Sequence, residues 1–388
     1  MSNIAVLGTL YGDEGKGRIV HYMSKDYDWV IRFNGGANAG HTIYRMINGE
    51  RKKYIHNLLP SFDWTKPNQK AFLAQGMVID LEQLYNEIHA VEIDIFKTTE
   101  KPCNGCVAKR VYVDPDAFVV LPKHKEEDKA KNGHIGSTNR GIGPAYKDKV
   151  NRSGKRVKDL IKENNRAAWN LKRMGVQFKH ALELRDEFEN SNLLFEGAQG
   201  AMIDLNHGVY PFVSCSDTTI GGIYSSGFAW VKLDKVYGIT KAYMTKVGEG
   251  PFPTELFGDE AENLRKIGGE YGATTGRPRR IGWLDLPMLK YACAKSGITD
   301  LIVTKMDILY GMDSVPVCSA YDKEPVSASN FYDTKCQYLK MPGWNEPYDD
   351  TSKSFLNFIG SYAGCPVNMI SCGVSDEDIF GITIPNKR

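Results

Sequence analysis

The chain has no stretch approaching the ~18 consecutive apolar residues that a membrane-spanning helix needs, so such a helix is excluded. It also lacks an excess of either charge. Its 49 basic and 47 acidic residues leave +2, too little for the broad positive field of a dedicated nucleic-acid binder. A paired-cysteine framework is missing too, because eight cysteines are spread from Cys103 to Cys372 and only Cys103 and Cys106 are close neighbours of metal or redox spacing. Free thiols in a reducing compartment are the expectation, and that pair is set aside. There is no Pro- or Ser-rich linker, no internal repeat and no secretory leader, since Ile4-Ala5-Val6-Leu7 begins an apolar run at once. These absences predict a cytoplasmic protein of small-molecule chemistry, with neither nucleic acid nor membrane as partner.

What is present is the composition of a packed globular chain, with 42% hydrophobic residues, 25% charged residues and 38 glycines in 388 positions. Short apolar runs stand between glycine-rich turns at Ile4–Leu7, Trp29–Phe33, Ala71–Leu73, Leu193–Phe195, Lys235–Tyr243, Leu301–Thr304 and Val367–Ser371. Runs of this kind suit strands covered on both faces. Helical stretches alternate with them at Leu81–Val91, Asn164–Glu189 and Leu286–Ala294. The pattern predicts an α/β fold: one large domain over residues 1–388, with a mainly parallel central sheet flanked by helices, P-loop-NTPase-like, and with long functional loops. The polar segment Lys123–Asn139 reads as one such exposed loop.

Four segments carry chemistry. Gly8 to Arg18 follows the first strand and opens a helix, so glycine turns with outward N–H groups and a helix N-terminus would cradle phosphate. It is not a Walker A loop, which would need Gly at position 10 and Ser or Thr at 17, where Leu10 and Gly17 stand. Asp13 beside Lys16 adds the means for phosphate and Mg²⁺ chemistry. Asn34 to Thr42 follows the second run in the same way and ends on His41, which could donate to a phosphoryl oxygen. Gly272 to Arg280 gathers Arg277, Arg279 and Arg280 beside Thr274 and Thr275, a clamp for a dianion. Thr304-Lys305-Met306-Asp307 closes a strand, and a carboxylate there can accept from guanine N1–H and its 2-amino group.

With these, Gly12 to Gly17, Asn38 to Thr42, Arg140 to Tyr146, Phe195 to Gly200, Gly250 to Leu256, Gly282 to Asp285 and Met341 to Trp344 stand in the order of one family: the whole chain resembles the adenylosuccinate synthetases. The resemblance implies a GTP- and Mg²⁺-dependent ligase, a homodimer of purine nucleotide biosynthesis, joining L-aspartate to C6 of IMP through a 6-phosphoryl intermediate. It implies Asp13, His41 and Lys16 as catalytic residues, and Asp13 and Gly40 as metal ligands. Asn38, Thr138, Arg152, Gln199, Ser214 and Arg277 would hold the purine monophosphate, with Arg152 lent to the neighbouring subunit. Thr274, Thr275, Arg277 and Arg279 would hold aspartate. Gly12, Gly15, Lys16, Gly17, Gly40, Thr42, Arg279, Lys305, Asp307, Ser371 and Gly373 would hold GTP, with ATP as the alternative donor. Leu10, Tyr11, His21, Ala37, Asn139, Ser214 and Pro278 depart from the usual pattern, and the part around residues 160 to 190 is shorter than in bacterial relatives. Two alternatives stand beside this reading. One is a (d)GMP-specific 2-aminoadenylosuccinate synthetase of a viral diaminopurine pathway, whose members often lack the catalytic acid that Asp13 retains here. The other is a GTP-binding regulatory protein without ligase activity.

Overall fold

The structure, a computed structural model, describes residues 1–47, 50–99, 105–131, 138–272, 276–323, 327–332 and 334–382. The chain forms two compact units, one of Met1–Val6, Lys16–Ala198 and Ser214–Asp234, the other of Leu7–Gly15, Gln199–Val213 and Lys235–Arg388.

In the first unit the apolar runs become strands in the order Asn3–Gly8, Leu193–Glu196, Trp29–Arg32, Lys70–Leu73, Val111–Val113 and Gln177–Phe178, each pairing parallel. Trp29–Arg32 is buried along its whole length, as a strand covered on both faces must be. Trp29, Phe72, Phe188, Phe195 and Phe228 form an edge-to-face aromatic cluster against this sheet. Helices Lys16–Met23, Leu81–Thr99 and Ile142–Val150 and the antiparallel hairpin His41–Ile47 with Glu50–His56 complete the parts that matter for function.

The second unit pairs Lys235–Lys241, Asp300–Thr304 and Val367–Ser371 in parallel, with Ile379–Gly381 antiparallel at the edge. Helix Leu286–Ser296 starts where Asp285 accepts from Met288 N and stops at Gly297, which takes a left-handed φ of 66°. The α/β class and the mainly parallel pairing are as expected.

Three local expectations fail. Pro122–Lys131 is a helix, not part of a loop: His124 and Asp128 are buried while Lys123, Glu126 and Lys129 are exposed, an amphipathic face drawn almost entirely in polar letters. Asn164–Glu189 is not one helix. Asn165 caps Arg166–Met174, Gly175 at φ 112° ends it, and the chain then adds the strand Gln177–Phe178 before a short helix, Arg185–Glu189. Cys106 is disulfide-bonded rather than a free thiol, and Cys103 lies outside the described residues.

Candidate active site

The strand Leu193–Glu196 is apolar until its last residue, which carries a carboxylate into the core of the first unit. A buried acid must find donors or stay protonated. Glu196 accepts from Ser61 N at 2.8 Å and Ser61 Oγ at 2.6 Å, and His41 Nδ1 makes a short contact with the same group. Burial alone would raise its pKa, but His41, the Arg32 guanidinium and the Ser61 hydroxyl hold it down to about 2. Glu196 is therefore an ion, the proton of His41 sits on Nδ1, and Nε2 is left for a ligand. Burial lowers the pKa of the ring in spite of Glu196, so the free imidazole is neutral.

Helix Lys16–Met23 presses on this histidine. A Cβ on Gly17 would stand 2.4 Å from His41 Cβ, so the position where a Walker A loop has Ser or Thr admits only glycine. Lys16 is buried beside it. Arg32, also buried, donates to Asn57 O at 2.6 Å, and Asn57 Nδ2 donates to Ala39 O at 2.6 Å, which ties down the loop that leads into His41. In that loop Asn38 Oδ1 accepts from Gly36 N at 3.2 Å, Gly40 is exposed, and Thr42 is half-buried. A cavity of ≈ 330 Å³ in the same unit is lined by Asn34, Tyr146, Lys149, Arg156, Ser216 and Asp217. Ser214, next in sequence to the wall residue Cys215, is half-buried and hydrogen-bonds to Ser216. Thr138 and Arg152 are exposed.

In the second unit Glu14, buried, accepts from Leu10 N at 3.2 Å and Gly12 N at 2.8 Å. Two amides of the first glycine loop thus turn inward onto its own acid, which corrects the picture of a cradle whose N–H groups all face outward. The turn throws Asp13 to the surface at a left-handed φ of 67°. There its carboxylate pairs with Arg279 Nε at 2.5 Å. Arg279 in turn donates from Nη1 to Glu270 Oε2 at 2.6 Å, and Glu270 Oε1 accepts from Lys241 Nζ at 2.8 Å and Tyr243 Oη at 2.6 Å. Burial would raise the Glu270 pKa, but the Lys241 and Arg279 cations pull it down to about 2. Lys305, at φ 62°, donates to Gly268 O at 2.9 Å, and burial lowers its pKa while Glu270 and Asp307 oppose the shift.

Of the residues singled out by sequence, the structure joins Asp13 and Arg279 directly and draws Lys305 and Asp307 into the same electrostatic cluster around Glu270. Arg277 stands apart, exposed and 3.6 Å from Glu249. Gln199 holds φ 64° against the first glycine loop, where Gly12 would bring a Cβ to 3.6 Å of its Cα. Gly15 is exposed at φ 90°. Ser371 is buried at a strand end, and a Cβ on Gly373 would meet Asp378 at 2.5 Å. Thr274 and Thr275 lie outside the described residues. Sequence reasoning missed Glu14, Arg32, Ser61, Glu196, Lys241 and Glu270. For Arg32 and Glu196 a signal existed: a charged residue closing an otherwise apolar run.

Parallel strands that end in glycine turns, with a carboxylate-held histidine in one unit and an arginine-held acid in the other, define an α/β enzyme. A family model described as adenylosuccinate synthetase matches residues 5–183 and 165–380. The adenylosuccinate synthetase of Petrotoga mobilis is 40% identical, covering 98% of this chain and 97% of that protein; the one from Finegoldia magna is 41% identical, covering 98% of each. Among solved structures, fully ligated adenylosuccinate synthetase from Plasmodium falciparum superposes with a TM-score of 0.84 at 32% identity, covering 98% of this chain and 99% of that one. A succinoaminodeoxyadenylate synthetase of cyanophage S-2L, bound to dGMP and dATP, shares the fold at a TM-score of 0.72 and 19% identity, covering 99% and 96%. This chain belongs to the adenylosuccinate synthetase family, ligases that form a C–N bond.

Proposed function

We propose that the protein joins L-aspartate to C6 of IMP, with GTP as phosphoryl donor and Mg²⁺ as cofactor, in the cytoplasm. The observation that carries this reading is that Asp13 and His41 are both retained, each held by its own charged partner, in a chain 40% identical to an adenylosuccinate synthetase over 98% of its length. Asp13 takes the N1 proton of the purine, so electron density moves to O6, which attacks the γ-phosphorus and displaces GDP. His41, oriented by Glu196, presents Nε2 to the phosphoryl oxygens and donates to them once it is protonated. The amine of aspartate then adds at C6, loses its proton, and phosphate leaves with the former O6. Lys16 screens charge on the phosphoryl oxygens.

The Asp13 side chain, 36% exposed, offers the hard oxygens that fit Mg²⁺, and the ion would supply charge neutralisation at the phosphates. Arg277 and Arg279, with Thr274 and Thr275, receive the carboxylates of aspartate. Asn38, Thr138, Gln199 and Ser214 hold the purine monophosphate, and Lys305, Asp307, Ser371 and Gly373 surround guanine. Arg152, exposed, serves the neighbouring subunit of a homodimer.

The test is incubation of the enzyme with GTP, aspartate and each of IMP, dIMP, GMP and dGMP, with products identified by mass. Adenylosuccinate from IMP, with one GDP and one phosphate released per turnover, is the expected result. Product from GMP or dGMP alone would move the protein to the diaminopurine branch. GTP hydrolysis without purine and aspartate, or no reaction at all, would make it a regulatory or inactive relative.

A further inference from the structure

A small three-stranded sheet in the second unit, Leu284–Asp285 beside Ser314–Tyr321 and Cys336–Pro342, holds none of the residues assigned to substrates above, though Asp285 also caps helix Leu286–Ser296. Asp285 pairs in register with Cys318, Cys318 with Tyr338, and Tyr321 with Cys336. Cys318 and Tyr321 are three residues apart and in a regular strand would point to opposite faces. The register shift between Cys318 and Ala320 adds one residue and returns them to the same face. Asp285, Cys318, Tyr321, Cys336 and Tyr338 thus share one side of the sheet.

The consequence is a compact donor set. One carboxylate oxygen of Asp285 and the Sγ atoms of Cys318 and Cys336 all lie within 4.8 Å of one another. Asp285 and Cys318 are buried, while Cys336 is half-buried and opens the group to solvent. Cys318 and Cys336 are free thiols. Asp285 accepts from Met288 N at 3.0 Å and from the Tyr321 hydroxyl, and it has no ion pair among the described residues. Fully buried carboxylates are ordinarily paired with a cation or coordinate a metal. Two thiols and a carboxylate from three separate strands form an incomplete tetrahedron of borderline-soft donors, and the tyrosine hydroxyl on the acid is the outer hydrogen bond that commonly orients a metal-bound carboxylate.

We propose that Cys318, Cys336 and Asp285 bind a zinc-class divalent cation, with the fourth position open to water on the Cys336 side. Burial raises the Asp285 pKa to about 7, so binding releases both thiol protons and any proton on Asp285, leaving the ion between two thiolates and a carboxylate. The ion ties the strand Cys336–Pro342 to the start of helix Leu286–Ser296, a structural role separate from the ligation chemistry.

The test uses full-length protein, reduced, stripped with chelator and desalted, then titrated with Co²⁺ and afterwards with Zn²⁺. Expected are one Co²⁺ per chain with a near-ultraviolet thiolate-to-cobalt charge-transfer band, and its loss when Zn²⁺, which soft thiolate ligands favour, displaces the ion. Cys318→Ser and Cys336→Ser each abolish the band. Tyr321→Phe keeps all three ligands and weakens the affinity by about 10-fold or more. Because Cys336 is half-buried, its serine variant, checked by circular dichroism, decides the matter if Cys318→Ser fails to fold. A band that survives in Cys336→Ser would place the metal on other thiols, such as Cys293 and Cys365, and overturn the proposal. So would the absence of any band at equimolar Co²⁺ in protein whose thiols titrate as reduced, or recovery of Cys318 and Cys336 as a disulfide.

Discussion

The His41 region and the Asp13 region solve the same problem, holding a reactive group still, by opposite means. His41 and Glu196 have side chains only 7% and 0% exposed, and the carboxylate is saturated by groups of its own unit. Asp13 and Arg279 are 36% and 14% exposed, and what holds them is one ion pair on a left-handed turn. Burial makes the first arrangement rigid and leaves its ring neutral until a phosphoryl oxygen arrives. The second is a latch: the Asp13 carboxylate is occupied while it pairs with Arg279, and a ligand that draws the guanidinium away leaves it open to a new partner. Under the proposed function, the difference separates a buried, preorganised histidine from an exposed acid that its substrates must uncover.

The largest expected effects come from removing each reactive group. His41→Asn and Asp13→Asn should each lower kcat with IMP by about 10²–10⁴-fold, the range for a general acid or base, in steady-state assays of phosphate release. Wild-type turnover in either variant would take that region out of the chemistry.

Acid sensitivity comes next. Folding depresses the pKa of Glu196 to about 2 from an ordinary 4.5, so its stabilisation is fully present above pH 4.5 and is lost as pH falls toward 2. Urea midpoints measured through that window should fall in the wild type and flatten in Glu196→Gln, by about 3 kcal/mol at most. An unchanged slope would mean that the ionised Glu196 does not stabilise the first region.

Donor choice tests the second region. Adenine has no donor at N1 or C2 for the Asp307 carboxylate, at about 1–3 kcal/mol, so GTP should exceed ATP in kcat/KM by roughly 10- to 100-fold. Asp307→Asn should narrow the gap, and equal use of both donors by the wild type would show that Asp307 does not read the base.

The mildest contrast sets two glycines side by side. Gly17→Ala forces a Cβ onto His41 and should cost about 1–3 kcal/mol by overpacking, with kcat reduced as the ring is displaced. Gly15→Ala meets nothing within 4 Å and suffers only from φ 90°, so about 1 kcal/mol of stability should go, measured by thermal unfolding.

The seven apolar runs all became strands because a strand buried on both faces writes its environment into consecutive letters. The hairpin that carries His41 was not legible: Glu50, Arg51, Lys52 and Lys53 are exposed in its second strand, and such a strand reads as polar loop. Helix Pro122–Lys131 was missed for the same reason, having two buried polar residues where a core helix has apolar ones. Among the candidate residues, Asp13, His41 and Arg279 could be singled out because they stand in glycine-rich segments, and the structure gives each a charged partner. Glu270 could not, because its role comes from Lys241, Tyr243 and Arg279 meeting it across distant sequence. Its own neighbourhood, Gly268-Gly269-Glu270, looks like an ordinary helix end.

Asp13, Arg152, Gln199 and Lys305 all sit at positive φ, where a side chain costs about 1–2 kcal/mol and glycine costs none. For anyone engineering this scaffold, those four positions are a trap. A library ranked only by survival after heating would reward glycine there, and consensus-style stabilisation would count each swap as an improvement. The clones that endured longest would be the ones that had discarded an acid, two cations and an amide to which the proposed function gives work. Heat tolerance is better sought on the exposed faces of Leu81–Thr99 and Arg166–Met174, with these four residues held fixed from the first round.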